Sequence, residues 1–442
     1  MATVDPDILS SDSSVRQGRE ANGSVLGTQL GYSCANMGKS VVWTSFESIM
    51  LFYLVSIAGF GPLAAGALLA VTLLWDATFD LAVARWTDAR GGSQGLARLV
   101  LFGAPLCGMG FWLIFVLQAP LAVAAAIVAC RIGYSLCDVG HNTLLIRVAQ
   151  RPGDAARVSG LRLLFSASGV ALLALASGTS LSLADPQAQR QSLAMAAMGG
   201  GALYMGTLFV ALWATRHLAP PSRAAGRTDR PKPLRDYARN PDFSRLLLVI
   251  AVQAAFVPLF QRALPFYGAA VRGDPGWAGP ALLTVTLAQS LALPGWMAIA
   301  RRWSSRRIAM VAHALTLLAM TGLTLAPSER LDWAMLALLG AGLGGMNLAV
   351  WALLTATVHH AMAGGSQDEA TPVGLFLAVL KSAAAAGNLL FAVIVALGPV
   401  SLGGWGGDGV TLLTLSATIV PILGSMLALA LLWGSREFAS LR

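Results

Sequence analysis

Blocks of eighteen or more apolar residues recur about twelve times along this chain, and no other feature limits its fold so tightly. A helix rises 1.5 Å per residue, so each block is long enough to cross a hydrocarbon core of roughly 30 Å. Only 12% of the residues are charged, against 56% hydrophobic. A soluble chain of this length needs far more charge to cover its surface. The first block follows a polar stretch, Met1 to about Gln29, so it does not read as a cleaved signal peptide, which starts at the terminus. The expected fold class is therefore all-α membrane protein with twelve transmembrane helices.

Spans are expected near 30–58, 61–84, 98–118, 120–147, 158–182 and 193–215, and again near 244–269, 277–300, 308–326, 331–358, 372–398 and 410–434. The one long hydrophilic interruption, 216–243, holds Pro220-Pro221 and Pro231-Lys-Pro233. It divides the chain into a tail (1–29), a six-helix bundle (30–215), the central loop, a second bundle (244–434) and a tail (435–442). The net charge of +9 is spread over short loops, which is a membrane pattern and not a nucleic-acid patch. Arg85, Arg90, Arg98, Arg147, Arg151, Arg157, the seven basic residues between Arg216 and Arg239, and Arg301 to Arg307 fall on one side; Arg190, Arg272 and Arg330 fall on the other. The positive-inside rule then puts both termini and the central loop in the cytoplasm, with a plasma membrane, such as a bacterial inner membrane, as the expected location. Arg85-Trp86-Thr87 and Arg302-Trp303-Ser304 close the second and eighth spans alike. Six plus six with such an echo fits the major facilitator plan, in which the solute site lies at the midplane between the halves.

Charges inside a membrane are costly and mark function or pairing. Lys39 and Glu47 fall in span one, Asp76 and Asp80 in span two, Arg131 and Asp138 in span four, Arg162 at the start of span five, Arg262 in span seven and Lys381 in span eleven. Asp76 and Asp80 are four apart and share a helix face, where two carboxylates repel unless a cation or proton lies between them. That suits a Na⁺ or H⁺ coupling site, which Ser135 and Asp138 would complete. The same residues also suit a structural ion-pair network in which Lys39, Arg131, Arg162 and Lys381 neutralise the acids. Asp88 and Arg90, at the cytoplasmic end of span two, are read either as gating ion pairs or as topology signals alone. Trp43, Trp75, Trp296 and Trp351 are read first as packing or interface anchors, with sugar stacking as the alternative for one of them. The cysteines (Cys34, Cys107, Cys130, Cys137) and histidines (His141, His359, His360) have no metal spacing, so no metal or cofactor is expected beyond the coupling ion.

Leu74-Trp-Asp-Ala-Thr-Phe-Asp80 followed by Arg85-Trp-Thr-Asp88 resembles the span-two signature of the glycoside–pentoside–hexuronide:cation symporters, the melibiose permease-like family. Leu30 to Lys39, Tyr134 to Asp138, Arg157 to Arg162, Gly344 to Asn347 and the surroundings of Lys381 line up with the same family in order. The resemblance implies cation coupling through Asp76, Asp80 and Ser135. It implies a substrate site at Lys39, Ser40, Asp138, Asn142, Arg162 and Lys381. Departures accompany it: Phe79 replaces an asparagine ligand, Ser40 a sugar-binding aspartate, and Asn142 a sugar-stacking tryptophan. The expected function is a secondary transporter, working as a monomer, that moves a sugar-like or polar solute by alternating access with H⁺ or Na⁺. Spans one, two, four, five, seven, eight, ten and eleven would line its cavity. The alternative on the same fold is a carrier or exporter of an amphipathic molecule such as a lysolipid. A non-transporting membrane enzyme or receptor is the remote third reading, since no nucleophile motif or soluble domain is present.

Overall fold

The computed structural model describes residues 25–90, 96–142, 144, 148, 154–218, 233–325, 328–363, 370–397 and 412–433. Among them there is no strand. Helix α1 runs Val25–Ser48 and, after a 54° bend, Met50–Ile57. Then follow α2 (Pro62–Arg90), α3 (Leu99–Val116), α4 (Pro120–Asn142), α5 (Asp154–Leu181) and α6 (Pro186–Thr215). The second set is α7 (Pro241–Arg272), α8 (Ala278–Ala300), α9 (Ser305–Leu325), α10 (Glu329–Ala363), α11 (Ala370–Leu397) and α12 (Leu412–Trp433). Eleven of the twelve are straight enough to count as single membrane spans, and α1 is the twelfth if its bent pair counts as one. They form two six-helix bundles, α1–α6 and α7–α12. The end at which α1 begins and α12 finishes is called the near end below, and the other the far end.

Local chemistry sets the helix starts. Asp185 accepts the N–H of Ala188 at 2.8 Å ahead of Pro186, and Asn240 accepts those of Asp242 and Phe243 ahead of Pro241. An acceptor side chain at the cap followed by proline satisfies donors that a helix start leaves free. The bend in α1 has no proline. Ser45 and Ser48 donate to the carbonyls of Val41 and Thr44 at 2.7 and 2.6 Å, which perturbs the helical ladder, and a π-turn over Tyr53–Ile57 follows. In α7, Pro258 cannot donate to the ladder and breaks the helix between Phe256 and Leu259.

The halves meet along two main seams. At the seam of α2 with α11, Gly66 and Gly374 have no side chain to keep the helices apart. A Cβ on Gly66 would fall 2.2 Å from that of Ala392, and one on Gly374 would fall 2.5 Å from that of Ala84. These contacts span both ends, so this seam is closed along its length. At the seam of α5 with α8, close approach is at the far end, where Gly279 lies against the Ala174 carbonyl and Ser182 donates to Asp274 at 3.0 Å. At the far end too, Phe52 of α1 meets Phe266 of α7 edge-on at 5.0 Å.

Gly66→Val forces its new methyls into Ala392. It should cost about 1–3 kcal/mol, the usual range for overpacking, seen as a lower thermal unfolding temperature of the purified protein. Gly206→Ala, which points into open space, should leave that temperature unchanged or raise it.

Candidate solute cavity and charge layer

A cavity of ≈ 620 Å³ lies between the two bundles. It is lined by α1 and α5 from the first half and by α7, α8, α10 and α11 from the second. At its near-end side are Gly160, Leu163 and Leu164 of α5 and Pro294 and Met297 of α8. Leu164 and Met297 are 64% and 58% exposed, so the cavity opens between these helices while the far end is shut. Its polar groups are amides and hydroxyls, chiefly Gln253, Gln261, Gln289 and Asn347 with Thr286 and Ser290. Its charges are Glu47 of α1 and Arg262 of α7, which pair across the halves at 2.7 Å.

The sequence-predicted residues form a layer beside this cavity. On α4 the spacing of Arg131, Ser135, Asp138 and Asn142 puts all four on one helix face, and Asp76 and Asp80 share a face of α2. Asp76 is fully buried, and both its oxygens are taken, one by the Arg131 guanidinium and one by the Ser135 hydroxyl. Asp80 pairs with Lys381 of α11 at 2.5 Å through Oδ2, while its Oδ1 is buried without a partner. Lys39 pairs with Asp138, which also accepts from Asn142 at 3.2 Å, and Arg162 donates to Asn142 at 3.1 Å. Ser40, half-buried beside Lys39, joins none of these contacts. Asp76 and Asp80 thus each hold a basic side chain, Arg131 and Lys381 respectively. Among the described residues no three His, Cys, Asp or Glu side chains converge as a metal set.

Trp43 separates the two regions. One part of it lines the cavity. Behind it lie the Arg131 guanidinium, 5.2 Å from its ring centre, and the Lys381 ammonium at 5.9 Å. Arg131 also lies 5.1 Å from the Phe46 ring and 5.6 Å from that of Tyr134. Rings at such distances stabilise a desolvated cation, which matters because Nε and Nη1 of Arg131 have no hydrogen-bond partner. The expected lining by α2 and α4 is therefore not observed: ion pairing draws their polar faces together behind Trp43. The six expected substrate residues are likewise absent from the lining. Phe79, which stands where the resembling family has an asparagine ligand, stacks on exposed Trp75 at 6.0 Å. His141 stacks on Tyr32 and contacts its carbonyl at 2.9 Å, as a core histidine does. The side chains of Asp88, Arg90, His359 and His360 lie outside the described residues. The amides Gln253, Gln289 and Asn347 were missed from sequence because an uncharged polar residue in a span carries little signal.

Twelve apolar helices in two bundles around a central cavity define an integral membrane protein of the major facilitator type. The chain belongs to the MFS/sugar transport protein family, which matches over residues 31–434. A glucuronide carrier protein homolog of Escherichia coli (strain K12) is 27% identical over 168 residues, 36% of this chain and 37% of that relative's length. The nucleoside transporter NupG has the same fold, with TM-score 0.66 at 12% identity over 92% of this chain and 100% of that one. A bacterial homolog of the lysosomal transporter Spinster, solved inward-facing and unoccupied, gives 0.64 at 15% identity over 95% and 98%.

Removing one member of the Asp80–Lys381 pair strands a buried charge. Asp80→Asn or Lys381→Met alone should cost about 3–5 kcal/mol, while the double variant should recover most of it. A thermal-unfolding double-mutant cycle on the purified protein measures this.

Proposed function

We propose that this protein is a secondary active transporter that carries a sugar-like or other polar solute by alternating access, coupled to H⁺ or Na⁺. The observation that carries the reading is the cavity between the halves, solute-sized, with amides and hydroxyls set among its apolar side chains, shut at one end and open at the other. The glucuronide carrier and nucleoside transporter names among its likenesses agree with a hydroxyl-rich solute. The arginines of the near-end loops support cytoplasmic termini in a plasma membrane, and the chain is taken to act as a monomer.

Coupling is assigned to the acids of α2. Asp76 has both oxygens engaged, but Asp80 has one buried oxygen free and spends the other on the far half of the molecule. A proton or Na⁺ arriving at Asp80 competes with Lys381 and weakens the link between α2 and α11. A ligand that differs in affinity between two arrangements shifts their balance by that difference.

A second reading changes only the solute. Leu163, Leu164, Ala167 and Val170 make the α5 wall apolar, opposite the amides of α7, α8 and α10. One greasy wall and one polar wall suit an amphipathic molecule.

Proteoliposomes separate these claims. With a radiolabelled sugar, uptake should rise at least ten-fold under an imposed proton or sodium gradient. Asp80→Asn and Asp76→Asn should lose that stimulation yet keep solute exchange. Wild-type uptake that is indifferent to either gradient, or gradient stimulation that persists in both variants, sinks the coupling claim. Competition by an octyl glycoside more than ten-fold better than by the free sugar selects the amphipathic reading.

A further inference from the structure

Arg262 is 3% exposed, lies on the far-end side of the cavity and touches its space. Of its guanidinium, Nη2 donates to Glu47, while Nε and Nη1 are buried with no partner at all. Nη1 lies beside Gly387 of α11, in the space a side chain there would fill and near the Ala255 carbonyl, but makes no hydrogen bond. Buried donors on a charged group are costly to leave unmade. Glu47 is only partly buried, at 18% side-chain exposure, so it can leave Arg262 for the open cavity. On the same helix as Arg262, the Oε1 of Gln253 is buried and unpartnered as well. The cavity therefore asks for an oxyanion at Arg262 and a hydrogen-bond donor at Gln253.

Resting on the transporter reading above, we propose that Arg262 is the receptor for an anionic oxygen of the solute, and that Glu47 is its built-in stand-in. The solute is then a small polyhydroxy molecule bearing a carboxylate or phosphate. Its anionic group takes the guanidinium from Glu47 and its hydroxyl donates to Gln253. The exchange also has a mechanical consequence. Glu47 and Arg262 tie α1 to α7 toward the end that is shut, next to the Phe52–Phe266 contact. A solute that satisfies Arg262 from α7 alone removes this tie between the halves, so occupancy itself loosens the shut end. A neutral solute leaves Glu47 in place and the tie intact.

The test is thermal protection of the purified protein by D-glucuronate, D-glucose 6-phosphate, D-glucose and D-glucosamine. Glucuronate or the phosphate should protect at concentrations at least ten-fold lower than glucose or glucosamine, and the better of the two identifies the anion. Arg262→Gln should abolish that preference. Arg262→Lys should keep part of it, since the charge remains but the fork geometry is lost. Glu47→Gln should lower the protective concentration several-fold, because the competitor is gone. A merely structural Glu47–Arg262 pair predicts the opposite, with Glu47→Gln no better than wild type. Equal protection by glucose, protection by neither acid, or a preference that survives Arg262→Gln in a monodisperse preparation overturns the proposal. Gradient-driven uptake of a neutral sugar alongside such a result leaves the transporter reading standing and removes this one alone.

Discussion

A charge in hydrocarbon must find its opposite, and the interior of this protein is arranged around that demand. Three acids of the first bundle each hold a base: Asp76 with Arg131, Asp138 with Lys39, Asp80 with Lys381. The first two pairs join α2 to α4 and α1 to α4, which fixes the rotation of three helices about their axes. The third leaves the bundle and reaches α11. Helix register, the position of Trp43 and the place of the cavity all follow from these pairings. Because α2 and α4 turn their polar faces toward each other, what remains for a solute is the space bounded by α1, α5 and the second bundle.

Much of this was legible in the sequence. The apolar blocks give the helices, since length and hydropathy are local properties. The spacing of Asp76 with Asp80, and of Arg131, Ser135 and Asp138, gives helix faces for the same reason. Which base meets which acid is another matter. Asp80 and Lys381 are 301 positions apart, and nothing local distinguishes Lys381 from Lys39 as a partner for either acid. The sequence allows Asp76 and Asp80 to be a cation site or members of an ion-pair network, and only the neighbouring helices decide which bases they meet. The structure gives each a different partner because α4 and α11 approach α2 from different sides.

The cavity was the least legible part. Gln253, Gln289, Ser290 and Asn347 lie on three helices of the second half, and each alone is an ordinary polar residue in a span. They matter only because three helices converge, and convergence is tertiary. Glu47 and Arg262 were visible as charges within spans, but their pairing across 215 positions is tertiary, and the bend in α1 just after Glu47 has no proline to announce it.

The two seams between the halves are built differently, and this asymmetry accounts for the state observed. The seam of α2 with α11 carries a buried ion pair and close glycine contacts toward both ends. Opening it exposes two charges whose desolvation has already been offset, and nothing in the seam replaces their pairing. At the seam of α5 with α8 the close contacts are those of small residues and the Ser182–Asp274 hydrogen bond, confined to the far end. Among the described residues no charge pair joins the near-end halves of these helices, so this is where the cavity opens at least cost. To open the far end instead, the molecule must part α1 from α7, where Glu47 holds Arg262, and shift strain onto α2 and α11, where Asp80 holds Lys381. One pair lies in the cavity and the other behind Trp43. On the proposed reading a solute acts on the first and a cation on the second, and a transition that needs both pairs loosened would be one that neither ligand drives alone.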